Sequence, residues 1–379
     1  MKKVTVGLIG SGFAAELHLS AYPMVHGVEI EIKAVSSISN DLKDFAEKFQ
    51  IRDTYQDYKE MLKDPDIDVV DVIVPPALHE QCIRDALSAG KHVICEKPLT
   101  GYFEERKNSE MLQKICEQTE SLKEFVQASG KKFMYAENWI YAPSVQKSAQ
   151  ILMERKGKQL FLKAEESHSG SHAKHAAYWK MNGGGSLIRQ GCHPISSVLY
   201  LKSIEGAARG EDIQLKSVTC DVGNVTGNLP EKEKQFIESR PVDVEDWACA
   251  VYTFTDDTKA VVLSGDMVLG GVRNYVECYG NNFVLLNNIS PNNAMQTFFT
   301  DEHRLENVYI TEKTQLKSGW QSVFLDETVA RGYAGELQDF MECVAYDREP
   351  ISGIELASQT VKAIYGAYQS AAEGKTVYF

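Results

Sequence analysis

The sequence lacks several features that would place it in a specialised class of protein. Its eight cysteines are scattered and form no C-x-x-C pair, which favours reduced thiols in the cytoplasm over a disulfide framework. No apolar run approaches the roughly 20 residues that a membrane-spanning helix needs. Low-complexity segments and repeats with a period of about 20 to 50 residues are also missing, which excludes solenoids and propellers. These absences predict an ordinary folded protein of the cytoplasm that has no membrane partner.

An excess of positive charge is missing too. The chain carries 40 Lys and Arg residues against 53 Asp and Glu residues, a formal net charge of −13 at pH 7. Such a chain repels a polyanion on average, and no basic patch with interleaved aromatic residues offsets that repulsion. Nucleic acid is therefore not an expected partner.

The chain does contain enough apolar sequence for two cores. It has 379 residues, of which 43% are hydrophobic and 25% are charged. Domains commonly contain about 100 to 200 residues. The length predicts two domains, and we expect the first to span residues 1–136 and the second residues 137–379.

The first residues indicate a strand, a glycine turn and a helix. An apolar and β-branched run over residues 4–9 stops at Gly10 and Gly12. In the pattern G-x-G-x-x-A, the first glycine permits the tight turn and the second lets the backbone approach a pyrophosphate. The third small residue lets the helix pack on the strand, while the helix N-terminus faces the phosphates. The candidate contacts for a dinucleotide are Gly10, Gly12, Phe13 and Ala14.

Strands and helices alternate after this turn. Apolar runs predict strands at residues 29–35, 69–74, 92–95 and 132–136. Amphipathic segments predict helices at residues 42–49, 78–89 and 121–129. This alternation predicts an α/β fold with a doubly wound parallel sheet, the architecture of a Rossmann domain.

The end of the second strand is the place where such a sheet contacts the cofactor ribose. An acid there accepts hydrogen bonds from a 2′-hydroxyl and repels a 2′-phosphate. This chain has Ser36 and Ser37 at that point, and Lys43 is the nearest cation. The cofactor is therefore expected to be NAD or NADP, and the missing acid favours NADP or the use of both.

Four motifs together resemble one family of oxidoreductases. They are Gly10–Ala15, Pro75–His79, Ala89–Leu99 and the glycine run Gly183–Gly185 followed by His193. Their order and spacing are similar to those of the Gfo/Idh/MocA family, which is named after glucose-fructose oxidoreductase, inositol dehydrogenase and rhizopine catabolism.

The resemblance implies a fold and a set of partners. Members of the family join an N-terminal Rossmann domain to a C-terminal α+β domain with a large open, mainly antiparallel sheet. The second domain binds a carbohydrate-like small molecule, and many members form homodimers or homotetramers through its sheet. This chain departs from the family at about residues 100–120, where we expect a solvated helical insertion before a helix from Ser121 to Ser129. The cofactor contacts implied by the resemblance are Pro75, His79, Glu96 and Lys97.

Lys97 is the candidate proton carrier. It follows a buried strand, at the carboxyl edge where open α/β sheets bind their ligands. A partly desolvated lysine near a positive nicotinamide ring is expected to have its pKa lowered from about 10.4 towards neutrality, which makes it a usable base. It would take the hydroxyl proton as hydride leaves the same carbon. Pro98 fixes the turn in the trans or the cis form, and Glu96 holds either the lysine or the ribose.

His193 and Arg189 form the second part of the expected site. The family has an acid four residues before this histidine, and the two positions share one face of a helix. Here the acid is replaced by Arg189, whose guanidinium cannot act as a base but suits a carboxylate or sugar oxygens. We therefore expect His193 to relay a proton or bind a hydroxyl, and Arg189 to bind an acidic or heavily oxygenated substrate. The alternative is an arginine that faces solvent or pairs with an acid of its own domain.

A second cluster of imidazoles and aromatic rings lies between residues 168 and 179. It consists of His168, His172, His175, Tyr178 and Trp179. Such histidines could bind a transition metal with help from His193 or Glu165, but sugar sites also favour His, Tyr and Trp. We expect the sugar site and no metal. Further substrate candidates are Asn138, Trp139 and Arg273, and for Arg273 and the adjacent Asn274 a plain surface turn is an equal alternative.

These observations predict an NAD(P)-dependent oxidoreductase. It would move hydride between the nicotinamide and a secondary alcohol or ketone of a sugar, glycoside, sugar acid or cyclitol, with Lys97 as acid/base and His193 assisting. One alternative is a redox-neutral enzyme whose retained cofactor oxidises the substrate transiently for elimination, epimerisation or glycoside cleavage. Another is a non-catalytic ligand sensor, although the presence of Glu96, Lys97 and His193 argues against it.

Overall fold

The structure of the chain is a computed structural model. The structure describes residues 1–105, 110–171, 173–290, 295–302, 310, 316–323 and 326–379. Among these residues, no helix is both long enough and apolar enough to cross a membrane.

The first half of the chain forms a six-stranded parallel sheet. Its strands are β1 (Lys2–Ile9), β2 (Val28–Ser36), β3 (Asp53–Tyr55), β4 (Val69–Val72), β5 (His92–Glu96) and β6 (Phe133–Ala136). Their order in the sheet is β3-β2-β1-β4-β5-β6. The order reverses between β1 and β4, and the carboxyl ends of those strands are where open α/β sheets bind ligands. The expected Rossmann sheet is confirmed.

Helices cover both faces of this sheet. They are α1 (Phe13–Ala21), α2 (Leu42–Lys48), α3 (Tyr58–Met61), α4 (His79–Ser88) and α5 (Met111–Ser129), with short 3-10 turns at Tyr22–Met24 and Pro76–Leu78. Every residue of β4 is buried, as expected for a parallel strand that is covered on both sides.

The insertion expected at about residues 100–120 is helical from Met111 onwards, as predicted, but it is not solvated on all sides; residues 106–109 of the expected range lie outside the described residues. One helix, α5, starts at Met111 rather than at Ser121 and continues to Ser129. Its buried residues are Met111, Ile115, Thr119, Leu122 and Val126. These positions are three or four residues apart, so they form a single stripe, and the additional turns pack against the protein. The charged residues between them suggested a solvated segment, but they occupy the outer face of the same helix.

The second half of the chain starts with short helices and continues into a mixed sheet. The helices are α6 (Asn138–Tyr141), α7 (Pro143–Arg155), α8 (Trp179–Asn182), α9 (Ser186–Arg189) and α10 (Cys192–Arg209). The strands are β7 (Gln159–Ser167), β8 (Leu215–Gly223), β9 (Trp247–Phe254), β10 (Lys259–Gly265), β11 (Arg273–Gly280) and β12 (Val284–Asn288). The 3-10 turns are Lys174–Ala177 and Glu231–Glu233.

This second sheet has seven strands in the order β12-β11-β7-β10-β9-β8-β15, where β15 is Val377–Tyr378. Strands β7 and β10 pair in parallel, and the other neighbours are antiparallel. The expected open, mainly antiparallel sheet is therefore confirmed. A separate pair of strands, β13 (Gln296–Phe299) and β14 (Gly319–Ser322), lies outside it.

The last helices connect the two sheets. They are α11 (Glu327–Ala330), α12 (Tyr333–Tyr346) and α13 (Ile354–Glu373). Helix α12 packs on α1 and β1 of the first sheet, while α13 contacts both α5 and β8. The buried apolar side chains form one cluster across both sheets. This packing fixes the carboxyl end of β5 against the helices that cover the second sheet.

Candidate active site

The glycine turn after β1 has the geometry of a dinucleotide-binding turn. Gly10 has a φ of 116°, and a Cβ added there would lie 2.0 Å from the carbonyl oxygen of Ile73. Only glycine fits this position without moving the backbone. A Cβ added at Gly12 would meet nothing within 4 Å, and Phe13 is 66% exposed at the start of α1. The turn and the helix N-terminus therefore offer open space and backbone N–H groups to a pyrophosphate.

A chain of hydroxyl groups follows the end of β2. The Ser11 hydroxyl donates to Ser37 Oγ at 2.8 Å, and the backbone N–H of Ser39 donates to the same oxygen at 3.1 Å. The Ser39 hydroxyl in turn donates to the carboxylate of Asp41. The carboxylate of Asp41 is thus connected to the end of β2, although Asp41 lies five residues after Ser36. The sequence interpretation missed Asp41 because the acid of an NAD site was expected directly after the strand.

His79 binds backbone rather than open space. Its two ring nitrogens lie 2.8 Å from the carbonyl oxygens of Pro98 and Val74, and its side chain is fully buried. It connects the end of β4 to the turn that follows Lys97, which argues for a role in positioning that turn rather than in contacting a cofactor. Pro75, in contrast, is exposed at the end of β4.

Lys97 lies at the carboxyl end of β5, and its peptide bond to Pro98 is cis. Its Nζ donates to the backbone carbonyl of Arg189 at 2.8 Å. Burial alone would lower the pKa of Lys97, but Cys192 and the carboxylates of Glu166, Glu96 and Glu137 raise it above the ordinary lysine value. The ammonium form is therefore favoured in the protein without cofactor, and the lowering expected beside a positive nicotinamide ring stays a prediction.

Glu96 contacts the backbone of Lys97 and a buried histidine. Its Oε2 accepts a hydrogen bond from the Lys97 N–H at 2.9 Å, and its Oε1 lies 3.2 Å from His18 Nε2. The other ring nitrogen of His18 lies 2.9 Å from Asp71, which also accepts a hydrogen bond from the Tyr22 hydroxyl at 2.8 Å.

These contacts shift two pKa values. Burial opposes ionisation of Glu96, but the hydrogen bond and charge of His18, with Lys97 nearby, lower the pKa of its carboxyl. Burial also opposes protonation of His18, but Asp71 and Glu96 raise its pKa well above the usual value. Glu96 and His18 therefore form a charged pair. The sequence interpretation missed His18, since a histidine inside a helix carries no distinguishing pattern.

His193 lies between two carboxylates. Its Nδ1 is 2.5 Å from Glu137 Oε1, and its Nε2 is 3.8 Å from Glu166 Oε2. The Trp139 ring stacks on the imidazole at a centroid distance of 5.4 Å and an angle of 11°. Glu137 follows β6 and Glu166 lies near the end of β7, so two different sheets supply these acids. Burial raises the pKa of Glu166, and the charges of His193 and Lys97 oppose that shift.

Glu137, Cys192 and His193 also place possible metal-ligand atoms within 4.8 Å of one another. Burial raises the pKa of the Cys192 thiol well above its usual value, and a metal needs the thiolate. The ammonium of Lys97 is close enough to affect that thiol. In the described contacts His193 Nδ1 bonds to Glu137 and the Cys192 thiol donates to the Arg189 carbonyl at 3.7 Å, which makes this a hydrogen-bonded cluster.

Arg189 and His193 are not on one continuous helix. Helix α9 ends at Arg189 and α10 starts at Cys192, and a Cβ at the intervening Gly191 would lie 2.4 Å from the carbonyl oxygen of Leu187. The expectation of a shared helical face is therefore wrong. The guanidinium of Arg189 forms an ion pair with Asp266, which is fully buried. This is the pairing with a domain acid that the sequence left as the alternative.

Asp266 is held by further donors. Gln190 Nε2 donates to its Oδ1 at 2.6 Å, and the Ser239 hydroxyl donates to its Oδ2 at 3.3 Å. Arg189 also lines a cavity of 310 Å³. The other polar residues that line this cavity are Ser171, Tyr178, Glu238, Ser239 and Arg240.

Three substrate candidates have internal partners and are almost fully buried. Asn138 Nδ2 donates to the carbonyl of Arg331, and Trp179 Nε1 donates to the carbonyl of Tyr102, both at 2.8 Å. Trp139 is 1% exposed beneath His193. Their burial argues for a supporting role, while any direct contact with substrate remains a prediction.

The remaining candidates are more accessible. Tyr178 is 46% exposed. Arg273 lies 3.3 Å from Glu165, and its side chain is 55% exposed. His168 Nδ1 accepts a hydrogen bond from Gly170 N at 2.9 Å, and His175 is exposed. His172 lies outside the described residues.

Comparison with known proteins agrees with this geometry. Residues 4–128 match a family model described as "Oxidoreductase family, NAD-binding Rossmann fold". The match covers the first third of the chain, and over these residues the resemblance to the Gfo/Idh/MocA family seen in the sequence is confirmed.

Two curated relatives match the N-terminal region. The chain is 36% identical over 105 residues to "Uncharacterized oxidoreductase YrbE" of Bacillus subtilis (strain 168), which covers 27% of this chain and 30% of the relative. It is 37% identical over 114 residues to "Levoglucosan dehydrogenase" of Pseudarthrobacter phenanthrenivorans, which covers 28% of this chain and 29% of the relative. The chain thus matches less than a third of the length of these two relatives.

Solved structures share the whole fold. "GenD2 from gentamicin A biosynthesis in complex with NAD" aligns with a TM-score of 0.81 and 19% identity, covering 100% of this chain and 97% of that chain. "Levoglucosan dehydrogenase, complex with NADH" aligns with a TM-score of 0.77 and 21% identity, covering 100% and 99%. At these identities the likeness is one of fold.

Proposed function

We propose that this protein is an NAD(P)-dependent oxidoreductase that interconverts a secondary alcohol and a ketone on a carbohydrate-like small molecule. The observation that carries the proposal is the shared surroundings of Lys97 and His193. Lys97 is influenced by Glu166 and Glu137, and His193 contacts the same two carboxylates. Lys97 follows β5 at the carboxyl edge of the parallel sheet, where this fold binds ligands, and these shared carboxylates support a joint role for His193.

The cofactor would be held by the turn at Gly10 and Gly12, by the N-terminus of α1 and by the hydroxyls of Ser11 and Ser37. The open space at Gly12 and the close approach at Gly10 fit a pyrophosphate. Glu96 is ionised and would accept a hydrogen bond from a ribose hydroxyl. When bound, the nicotinamide supplies the site that accepts or returns hydride.

Lys97 is the proposed acid/base. Its ammonium form is favoured in the protein alone, which suits proton donation to a ketone oxygen during reduction. For alcohol oxidation the proton must first leave, and a neighbouring positive charge lowers the pKa of a lysine and assists that loss. Its hydrogen bond to the Arg189 carbonyl fixes the position of Nζ.

His193 would assist by binding the reacting hydroxyl through Nε2. A hydrogen bond between its Nδ1 and a carboxylate sets the tautomer and orientation of an imidazole. Glu137 supplies that carboxylate at 2.5 Å, and the stacked ring of Trp139 restricts rotation. Glu137 thus supplies a carboxylate to His193, although position 189, where the family has an acid, carries an arginine.

Cofactor preference is a separate part of the proposal. The Ser36–Ser37 strand end is compatible with NADP or dual use, as the sequence interpretation has it. Asp41, linked to this end through Ser39, supports NAD, because a carboxylate near the ribose repels a 2′-phosphate. A titration of protein fluorescence with NADH and NADPH distinguishes the two. NADH affinity at least a hundredfold greater than that for NADPH would rule out dual use.

The proposal extends to the assembly and to the compartment of the protein. Leu160, Val251 and Leu286 are exposed on strands of the second sheet, which supports a homodimer or homotetramer through that sheet. Light scattering on the purified chain measures the subunit number. The eight cysteines are free thiols, which supports a cytoplasmic location.

A substrate panel tests the main proposal. The protein is incubated with NAD or NADP and with sugars, glycosides, sugar acids and cyclitols, and nicotinamide absorbance is followed. We expect reduction of the cofactor with at least one secondary alcohol and its loss in Lys97→Met. Cofactor that copurifies at near-unit occupancy, with product formation and no net absorbance change, would instead support the redox-neutral alternative.

A further inference from the structure

A buried carboxyl group lies behind the candidate active site, on a helix that connects the two sheets. Glu336 belongs to the first turn of α12 and is fully buried. Its Oε1 lies 4.0 Å from His18 Nε2, and the same nitrogen is 3.2 Å from Glu96 Oε1. Neither carboxyl oxygen of Glu336 has a hydrogen-bond partner among the described residues. Because buried polar atoms of native proteins are almost always paired with protein, water or ligand, this carboxyl group indicates a role beyond packing.

The start of α12 is fixed against the residues that follow β6. Gly332, just before α12, has a φ of 96°, and a Cβ added there would lie 2.0 Å from the carbonyl oxygen of Asn138. Asn138 Nδ2 donates to the carbonyl of Arg331 at 2.8 Å, and α12 packs on α6. The first turn of α12 therefore lies beside Glu137, the residue before Asn138, whose Oε1 is bonded to His193. The other oxygen of Glu137, Oε2, is buried and has no hydrogen-bond partner among the described residues.

The titratable side chains that face Glu336 come from both halves of the chain. They are His18, Tyr22, Asp71, Glu96, Glu137 and Tyr141. Burial raises the pKa of Glu336 well above its usual value, the three carboxylates of this set add to the shift, and the charge of His18 opposes it. The pKa of Glu96, in contrast, is lowered. Neighbouring acids whose pKa values are pushed apart take opposite roles, so Glu336 keeps its proton while Glu96 is a carboxylate.

A protonated carboxyl group has one O–H donor, and two buried carboxylate oxygens near Glu336 could accept from it. They are Glu137 Oε2 and Asp71 Oδ1. Asp71 already binds His18 at 2.9 Å and the Tyr22 hydroxyl at 2.8 Å through its other oxygen. Glu137 has a greater effect on the pKa of Glu336 than Asp71 has, and it lies next to the start of α12. Glu137 Oε2 is therefore the favoured acceptor, and one ordered water can bridge two such groups.

We propose that Glu336 is a positioning residue of the candidate active site, whose carboxyl O–H is joined through one ordered water to Glu137 Oε2 and so fixes the carboxylate that orients His193. A carboxylate held at both oxygens does not rotate away from His193 Nδ1, so the imidazole keeps the tautomer that presents Nε2 to the reacting hydroxyl. The inference rests on the proposed function, because the role of His193 belongs to it. It adds a residue that acts through Glu137 and touches neither cofactor nor substrate.

Two kinds of substitution separate positioning from packing. Glu336→Gln keeps a neutral donor of the same size, whereas Glu336→Leu and Glu336→Met fill the space without a donor. In the NADH-loaded protein, nitrogen NMR of labelled histidine reports the tautomer of His193, whose signals are assigned with His193→Gln. We expect these signals to agree between wild type and Glu336→Gln and to change in the apolar variants. With a secondary alcohol found in the panel, kcat should fall about tenfold in the apolar variants and much less in Glu336→Gln, while KM stays within about twofold.

Infrared spectroscopy shows directly whether Glu336 carries a proton, because a carboxylic acid and a carboxylate absorb at different frequencies. The difference between the spectra of wild type and Glu336→Gln isolates this one group. We expect wild type at neutral pH to show an acid band that Glu336→Gln lacks. This measurement needs no substrate and none of the apolar variants.

Glu342→Leu is the matched control. Glu342 lies on the same helix, pairs with Arg348 at 2.8 Å and has a partly exposed side chain, so its loss should leave the His193 signals and kcat unchanged. A missing acid band, wild-type His193 signals in the apolar variants, or a Glu336→Gln variant that behaves like them overturns the proposal. If no secondary alcohol is turned over, the infrared and NMR results still decide the role of Glu336, and the failure counts against the proposed oxidoreductase activity alone.

Discussion

Substitution of Arg189 by methionine separates a structural role from a substrate-binding role. The guanidinium pairs with Asp266, whose side chain is 1% exposed. Removing the cation leaves a buried carboxylate that retains hydrogen bonds from Gln190 at 2.6 Å and Ser239 at 3.3 Å. Breaking a buried ion pair typically costs about 3 to 5 kcal/mol. Because two donors remain, we expect Arg189→Met to lower the free energy of unfolding by about 3 kcal/mol.

Urea denaturation followed by circular dichroism measures this change, and a double variant provides the control. Asp266→Asn removes the buried charge, so the combination Arg189→Met with Asp266→Asn should recover part of the loss, about 1 kcal/mol or more relative to Arg189→Met alone. Unchanged stability in Arg189→Met, together with a raised KM for acidic sugars only, would refute the structural role and restore the sequence-based interpretation.

Three further predictions follow from named contacts. Glu137→Gln removes a charge-assisted hydrogen bond of 2.5 Å to His193, and such a bond is worth about 1.5 to 3 kcal/mol. We therefore expect kcat to fall roughly 10- to 100-fold and the pH profile of kcat to shift. An unchanged pH profile would contradict the orienting role of Glu137. Gly10→Ala would place a Cβ 2.0 Å from the carbonyl oxygen of Ile73. We expect this variant either to lose NADH binding in a fluorescence titration or not to fold. Wild-type affinity for NADH would show that the turn is not the binding site. The pKa of His18 in the folded protein is raised well above its usual value. The contribution of His18 to stability is therefore fully present below about pH 6.5 and is lost as the pH rises through the folded pKa. The difference in Tm between wild type and His18→Gln should shrink with rising pH, and a difference that grows would contradict the pairing of His18 with Asp71 and Glu96.

Much of the first sheet was predictable because local patterns are sufficient there. The apolar runs of β1, β4 and β5 are buried on both faces, and the glycine turn requires a residue without a Cβ at Gly10. Strand β8 was not predicted, since the exposed residues Lys216, Thr219 and Asp221 interrupt the apolar pattern. The start of α5 was placed ten residues too late for a similar reason.

The candidate site was only partly predictable. Lys97 and Glu96 belong to a local motif, but the partners of His193 come from the ends of β6 and β7. No spacing in the sequence relates Glu137 to Glu166, because the second sheet and α10 must pack before these side chains meet. The pairing of Arg189 with Asp266 likewise depends on the chain turn at Gly191, which helical periodicity does not reveal.

Lys97→Met tests the central claim most directly. Methionine keeps the length of the side chain and removes the ammonium that is bonded to the Arg189 carbonyl, and Lys147→Met, an exposed lysine on α7, is the control. With a secondary alcohol found in the panel, we predict that kcat falls by about 10² to 10⁴ while NADH affinity is retained and Lys147→Met behaves as wild type. Near-normal turnover by Lys97→Met with intact cofactor binding would contradict the assignment of Lys97 as the acid/base.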